Sequence, residues 1–117
     1  MLYRGSCHCG NVKFEVELEE KINSALACNC SMCQRKGALM TFFGRDKLKL
    51  LTPDDAMGDY QFNKHVIHHR FCKTCGIAPY SEGTGPDGSA MASLNLNCLE
   101  DFDVASVPVQ HYDGRSR

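Results

Sequence analysis

The residues best equipped for chemistry in this chain of 117 are eight cysteines: Cys7, Cys9, Cys28, Cys30, Cys33, Cys72, Cys75 and Cys98. Seven of them fall into tight groups, Cys7-x-Cys9, Cys28-x-Cys30-x-x-Cys33 and Cys72-x-x-Cys75. Disulfide scaffolds spread their cysteines to cross-link distant loops, whereas a metal ion needs several thiolates converging on one point. Pairs one or two residues apart supply two ligands from one turn, so the spacing favours metal over disulfides. Gly10 follows one pair and Gly76 another, which suits a turn whose backbone N–H groups point at sulfur. Clustered thiolates without accompanying carboxylates favour Zn²⁺, with iron second.

Ligand counting divides the groups. Cys7, Cys9, Cys72 and Cys75 offer four thiolates, enough for a closed tetrahedral site that ties two distant segments together, which is a structural zinc. Cys28, Cys30 and Cys33 offer three, the pattern of a catalytic zinc with an exchangeable fourth position. A dication with three thiolates carries less negative charge than one with four and is the better Lewis acid. A second closed site, completed by Cys98 or a histidine, is the alternative that counting leaves open.

These groups must be positioned by a mainly β domain. Residues 11–18 alternate polar and apolar, which predicts a half-buried strand. Short apolar or β-rich runs at 39–43, 47–51, 59–62, 65–71, 78–80 and 89–97 predict further strands, with a turn at 63–64 and a loop at 82–88. Helix is expected only around Ser31–Lys36 and as a turn at 99–102. One domain over 1–117 is expected from length, with residues 114–117 a frayed tail. Hydrophobic residues make up 43%, charged residues 23%, and the net charge is −1, so neither nucleic acid nor a membrane is an expected partner. The first seven residues lack the apolar stretch of a secretion signal, and a cytoplasmic location is expected.

Three ordered motifs, Gly5-Ser6-Cys7-His8-Cys9-Gly10, Cys28-Asn29-Cys30-Ser31-Met32-Cys33 and Phe71-Cys72-Lys73-Thr74-Cys75-Gly76, resemble those of the Gfa family. Its namesake is the glutathione-dependent formaldehyde-activating enzyme, and centromere protein V shares the domain. The stretches Leu94-Asn95-Leu96-Asn97-Cys98-Leu99-Glu100 and Val109-Gln110-His111-Tyr112-Asp113-Gly114-Arg115 resemble its late region. The resemblance implies a β-tent of small antiparallel sheets held by zinc, with short helical turns. It implies two zinc ions, a structural one on Cys7, Cys9, Cys72 and Cys75 and a catalytic one on Cys28, Cys30 and Cys33. The implied activity is that of a carbon–sulfur lyase, condensing a thiol such as glutathione with formaldehyde or a related small aldehyde. Residues Gln34-Arg35-Lys36-Gly37 form a shorter stretch than the commoner family form, which bears on substrate preference.

Arg35 and Lys36 follow the triad closely and are candidates for attracting the carboxylates of a glutathione-like thiol, beside the reading of a solvated basic turn. His65, His68 and His69 do not converge as a further metal site, since in a strand His68 points opposite to the other two; they read as a polar strand face, beside the lesser reading of a pH-sensitive or substrate-facing histidine. Tyr80 and the Phe42-Phe43 pair read as core. Cys98 reads as a buried, inert thiol. Two rival functions remain: a non-enzymatic module in which zinc only stabilises a binding surface, and a thiol-redox enzyme using Cys98, as in methionine sulfoxide reductases of the B type. The redox reading requires a low Cys98 pKa.

Overall fold

Alternating side chains in short segments build most of this chain. A computed structural model describes residues 1–62, 64 and 66–116. Its elements are β1 (Leu2–Ser6), β2 (Lys13–Glu17), β3 (Ala25–Cys28), α1 (Ser31–Lys36), β4 (Met40–Gly44), β5 (Leu48–Leu50), β6 (Met57–Tyr60), β7 (His68–Cys72), β8 (Tyr80–Thr84), β9 (Ala90–Asn95) and β10 (Val109–Tyr112), with short 3₁₀ turns between them. The strands form a three-stranded sheet, β1-β2-β5, and a seven-stranded sheet, β10-β3-β4-β9-β8-β7-β6. The protein is mainly β, as the sequence predicts. Among the described residues every strand pairing is antiparallel except that of β10 with β3, which is parallel.

In β2 the period of two drives Phe14 and Val16 to complete burial while Lys13 and Glu17 face solvent. Phe14 meets Tyr80 of β8 edge-on, with ring centroids 6.1 Å apart, and so joins the two sheets. Burying one such phenyl ring contributes about 2 kcal/mol. Gly5 of β1 lies opposite Phe14, and a Cβ there would come within 2.5 Å of that ring and 2.7 Å of the Cys98 carbonyl. The larger sheet is braced by Glu82 of β8, which accepts from Arg45 Nε at 2.6 Å and from Arg70 Nη1 at 3.0 Å. Arg45 also donates to the Leu48 carbonyl at 2.8 Å, fixing the turn before β5.

The structure redraws several expected boundaries. β8 continues to Thr84 because its residues pair in register with β9 as far as Thr84 opposite Ala90. The loop expected over 82–88 therefore shrinks to the turn closed by Gly85 N–H on the Ser89 carbonyl at 2.8 Å. The helical turn expected at 99–102 lies earlier, at Leu96–Cys98, and Leu99 bridges to Gly5 instead. Strands β1, β3 and β10 were not signalled by the sequence pattern; β10 is exposed at all four positions. Gly114–Ser116, at the end expected to fray, forms a 3₁₀ turn. Asn63 and His65, part of the expected turn and strand, lie outside the described residues. No helix among the described residues is long and apolar enough to cross a membrane.

Candidate metal centres

The hairpin loop between β1 and β2 carries Cys7 and Cys9, and the end of β7 with the turn after it carries Cys72 and Cys75. The four sulfurs lie within 4.8 Å of one another. Cys9 Sγ is 3.7 Å from Cys7 Sγ and 3.6 Å from Cys72 Sγ. A tetrahedron of Zn–S bonds of about 2.3 Å has sulfur–sulfur edges of about 3.8 Å, so the spacing fits a four-thiolate metal site. Backbone N–H groups point at the sulfurs: Val12 to Cys7 at 3.3 Å, and Thr74 and Cys75 to Cys72, both at 3.4 Å. Gly10 and Gly76 adopt φ of +86° and +81°, the left-handed geometry that lets each loop turn back under its sulfur pair. The backbone N–H of Ile77, then that of Cys9, lowers the Cys75 thiol to about 6. The Asn11 N–H favours a Cys9 thiolate, but burial and the surrounding sulfurs hold Cys9 up at about 11. Sulfurs this close cannot all ionise unless a cation shares their charge.

The second group is local. Cys28 ends β3, Cys30 caps α1, and Cys33 lies one turn into it. Their sulfurs also lie within 4.8 Å of one another, and no fourth His, Cys, Asp or Glu among the described residues joins them. The Cys30 N–H donates to Cys28 Sγ and the Cys33 N–H to Cys30 Sγ, each at 3.4 Å. The second contact is an N-cap made by sulfur in place of oxygen, which is why the helix begins there. Gly37 ends the helix at φ +68°, its N–H on the Cys33 carbonyl at 2.9 Å. Burial, then Cys30, pushes the Cys33 thiol up to about 12. Burial also opposes a Cys30 thiolate, yet the Cys33 N–H and the neighbouring sulfurs bring Cys30 down.

Residues 109–115 wall this triad. β10 lies parallel to β3 with Tyr112 opposite Cys28, and the Asn29 N–H continues the ladder to the Tyr112 carbonyl at 3.1 Å. The Asn29 side chain donates to Asp113 at 3.0 Å and accepts the Arg115 N–H at 2.9 Å. The Arg115 guanidinium also reaches Gln34 of α1. A Cβ on Gly114 would lie 2.5 Å from Cys28 Sγ, so backbone passes directly over that sulfur. Cys28, Asn29, Gln34, His111, Tyr112 and Asp113 line a shallow cleft here.

Arg35 and Lys36 stand on a different cleft, of about 410 Å³, between α1 and strands β6 and β7. Arg35 donates to the Ser31 carbonyl of its own helix at 2.9 Å. Lys36 is partly buried, and that burial lowers its pKa, against the pull of Cys33 and Cys30. The expected polar histidine face is divided: His68 pairs with Asp59 at 2.8 Å, but His69 turns inward and is only 6% exposed. Tyr80 and Phe43 are core as expected, whereas Phe42 points outward at 53% exposure. Cys98 joins neither sulfur group, and burial pushes its thiol up to about 11. That is the opposite of what a redox nucleophile needs. Sequence pattern did not reveal the inward His69 or the packing of Gly114 on Cys28, since both depend on distant chain partners.

Residues 2–113 match the sequence profile of the family described as GFA, glutathione-dependent formaldehyde-activating enzyme. A crystal structure of a Rhodobacter sphaeroides protein is similar, with 31% identity and a TM-score of 0.78, covering 92% of this chain and 99% of its own. Matched over almost its whole length, with three ordered cysteine motifs folded into two sulfur groups, the chain belongs to the GFA family.

Proposed function

We propose that the protein is a zinc-dependent carbon–sulfur lyase that adds a thiol such as glutathione to formaldehyde or a related small aldehyde. The observation that supports this reading is the triad of Cys28, Cys30 and Cys33, three converging sulfurs with no fourth ligand among the described residues. Cys7, Cys9, Cys72 and Cys75 would hold a structural zinc, and the triad would hold a second. When bound at the triad, zinc supplies an open position at which a thiol ionises and developing charge on oxygen is stabilised.

In the overall reaction the thiol sulfur bonds to the carbonyl carbon, the C=O π pair becomes a lone pair on oxygen, and the proton lost from sulfur ends there. Nothing is oxidised or reduced. The chain's own groups position this addition. The N–H donors of Cys30 and Cys33 hold the Cys28 and Cys30 sulfurs in place. The backbone at Gly114 covers one side of Cys28 and limits approach to the other. Arg35 and Lys36, two and three residues after Cys33, favour a substrate that carries carboxylates. Cysteines kept reduced for metal binding fit a reducing compartment, and a cytoplasmic location is part of this reading.

The test is formation of S-(hydroxymethyl)glutathione from formaldehyde and glutathione, followed by NMR alongside metal content per chain. The wild-type protein is expected to hold two zinc ions and to accelerate the reaction. Cys33→Ser is expected to lose at least about a hundredfold in kcat/KM, while Cys98→Ser retains turnover. A protein with two tightly held zincs and no acceleration with any thiol–aldehyde pair is a structural module, and the lyase reading is wrong.

A further inference from the structure

His69 is a buried imidazole without a hydrogen bond. It lies on β7 with 6% exposure, and neither ring nitrogen has a partner among the described residues. Aromatic rings hold it in place: Phe62 stacks on it at 5.4 Å and Tyr60 tilts against it at 6.5 Å. A neutral imidazole always carries one N–H donor, and burying that donor unpaired is costly unless something binds there. His69 lines the cleft between α1 and β6–β7, with Arg35 and Lys36 on one wall and Tyr60 and Phe71 among the apolar remainder. No acidic side chain among the described residues lines it.

Two cations, aromatic walls and an unpartnered imidazole N–H covered at the edge of the cleft make a site for a carboxylate carried on a short apolar stem. The cleft also adjoins the triad. Its wall is α1, the helix that Cys30 caps and that contains Cys33, and the Lys36 ammonium lies within electrostatic range of both sulfurs and of His69. We propose that His69 and Lys36 form the acid-group subsite of this enzyme: the imidazole N–H donates to a substrate carboxylate whose charge Lys36 balances. This rests on the lyase reading for its reaction but not for its ligand. Either reactant could carry the carboxylate, the thiol or the aldehyde. Burial and Lys36 both favour the neutral imidazole, which keeps one nitrogen as donor.

Binding is tested separately from turnover. S-methylglutathione, which keeps both carboxylates but has no thiol, is titrated into the zinc-loaded protein while the His69 ring nitrogens are followed by NMR. A saturable shift of those nitrogens supports the subsite, even if no lyase activity is found. Turnover is then compared for 3-mercaptopropionate against 2-mercaptoethanol with formaldehyde, and for glyoxylate against formaldehyde with 2-mercaptoethanol. The first pair reads a carboxylate on the thiol and the second a carboxylate on the aldehyde.

His69→Phe keeps the aromatic packing and removes the donor. It is expected to reduce the preference for the carboxylate-bearing reactant about tenfold through KM, and His69→Gln, which restores an N–H donor, is expected to recover part of it. If His69→Phe does not fold, Lys36→Met is expected to erode the same preference. Equal losses on charged and neutral reactants in both pairs, or ring nitrogens indifferent to both S-methylglutathione and glyoxylate, would overturn the subsite and leave His69 a packing residue.

Discussion

The two sulfur groups use one ligand type in opposite ways. The four-cysteine group joins residues 63 positions apart, Cys9 and Cys72, and so ties the hairpin of the small sheet to the far part of the large one. The three-cysteine group comes from one short stretch, the end of β3 and the first turns of α1, and bridges nothing. Closing a long loop constrains the chain, whereas gathering neighbours leaves coordination to spare. The difference teaches that one ligand type can either span the fold or gather locally with coordination to spare, depending only on where its residues lie along the chain.

The contrast breaks most visibly under serine substitution. Cys72→Ser should abolish the cooperative thermal transition followed by circular dichroism, because the brace between sheets is lost. Cys33→Ser should keep that transition and lose one zinc. Equal damage by both would mean that the two centres share the structural load.

A smaller effect sharpens the division. Gly114→Ala places a methyl against Cys28 Sγ, where the Cβ position is 2.5 Å away. It should weaken zinc at the triad by about tenfold in a chelator competition, a typical effect of changes around metal ligands. The four-cysteine centre should be untouched, and a change there would show that the walls of the two centres are coupled.

The smallest effect is in pH. Burial, then Lys36, lowers the His69 pKa below 6.5 against the opposing pull of Asp59. The unfolded chain therefore takes up a proton at higher pH than the folded one. Folded stability should fall as pH drops below about 6.5 and through the lowered folded value, with no His69 contribution well above that range. Acid also strips zinc from thiolates, so the informative quantity is the Tm difference between wild type and His69→Phe. That difference should move in favour of the variant between about pH 7.5 and about pH 5.5.

What the sequence disclosed follows the same division between local and distant causes. The helix at Ser31–Lys36 and the strand at β2 were legible because a cap, a glycine stop or strict alternation lies within a few residues. Each cysteine pair and the triad were legible for the same reason, and counting ligands then separated four from three. β3 and β10 were hidden because neither has a period of its own. They become strands by lying beside each other, with Asn29 and Asp113 bonded across 84 positions. His69 was misjudged because its strand, His68–Cys72, is polar at three of its five positions, and the apolar cover comes from Tyr60 and Phe62 on another segment.

The parallel strand β10 also sets an order of assembly. Every cysteine emerges from the ribosome before residue 99, and five of the six strand pairs of the large sheet lie within residues 25–95, yet Cys28 has its wall only after residues 109–114 are made. A nascent chain stopped at Val107 would contain all eight cysteines and still leave Cys28 open to the solvent and to other thiols. The wall of the three-cysteine group thus closes only after residues 109–114 are made, well after the three sulfurs it covers exist.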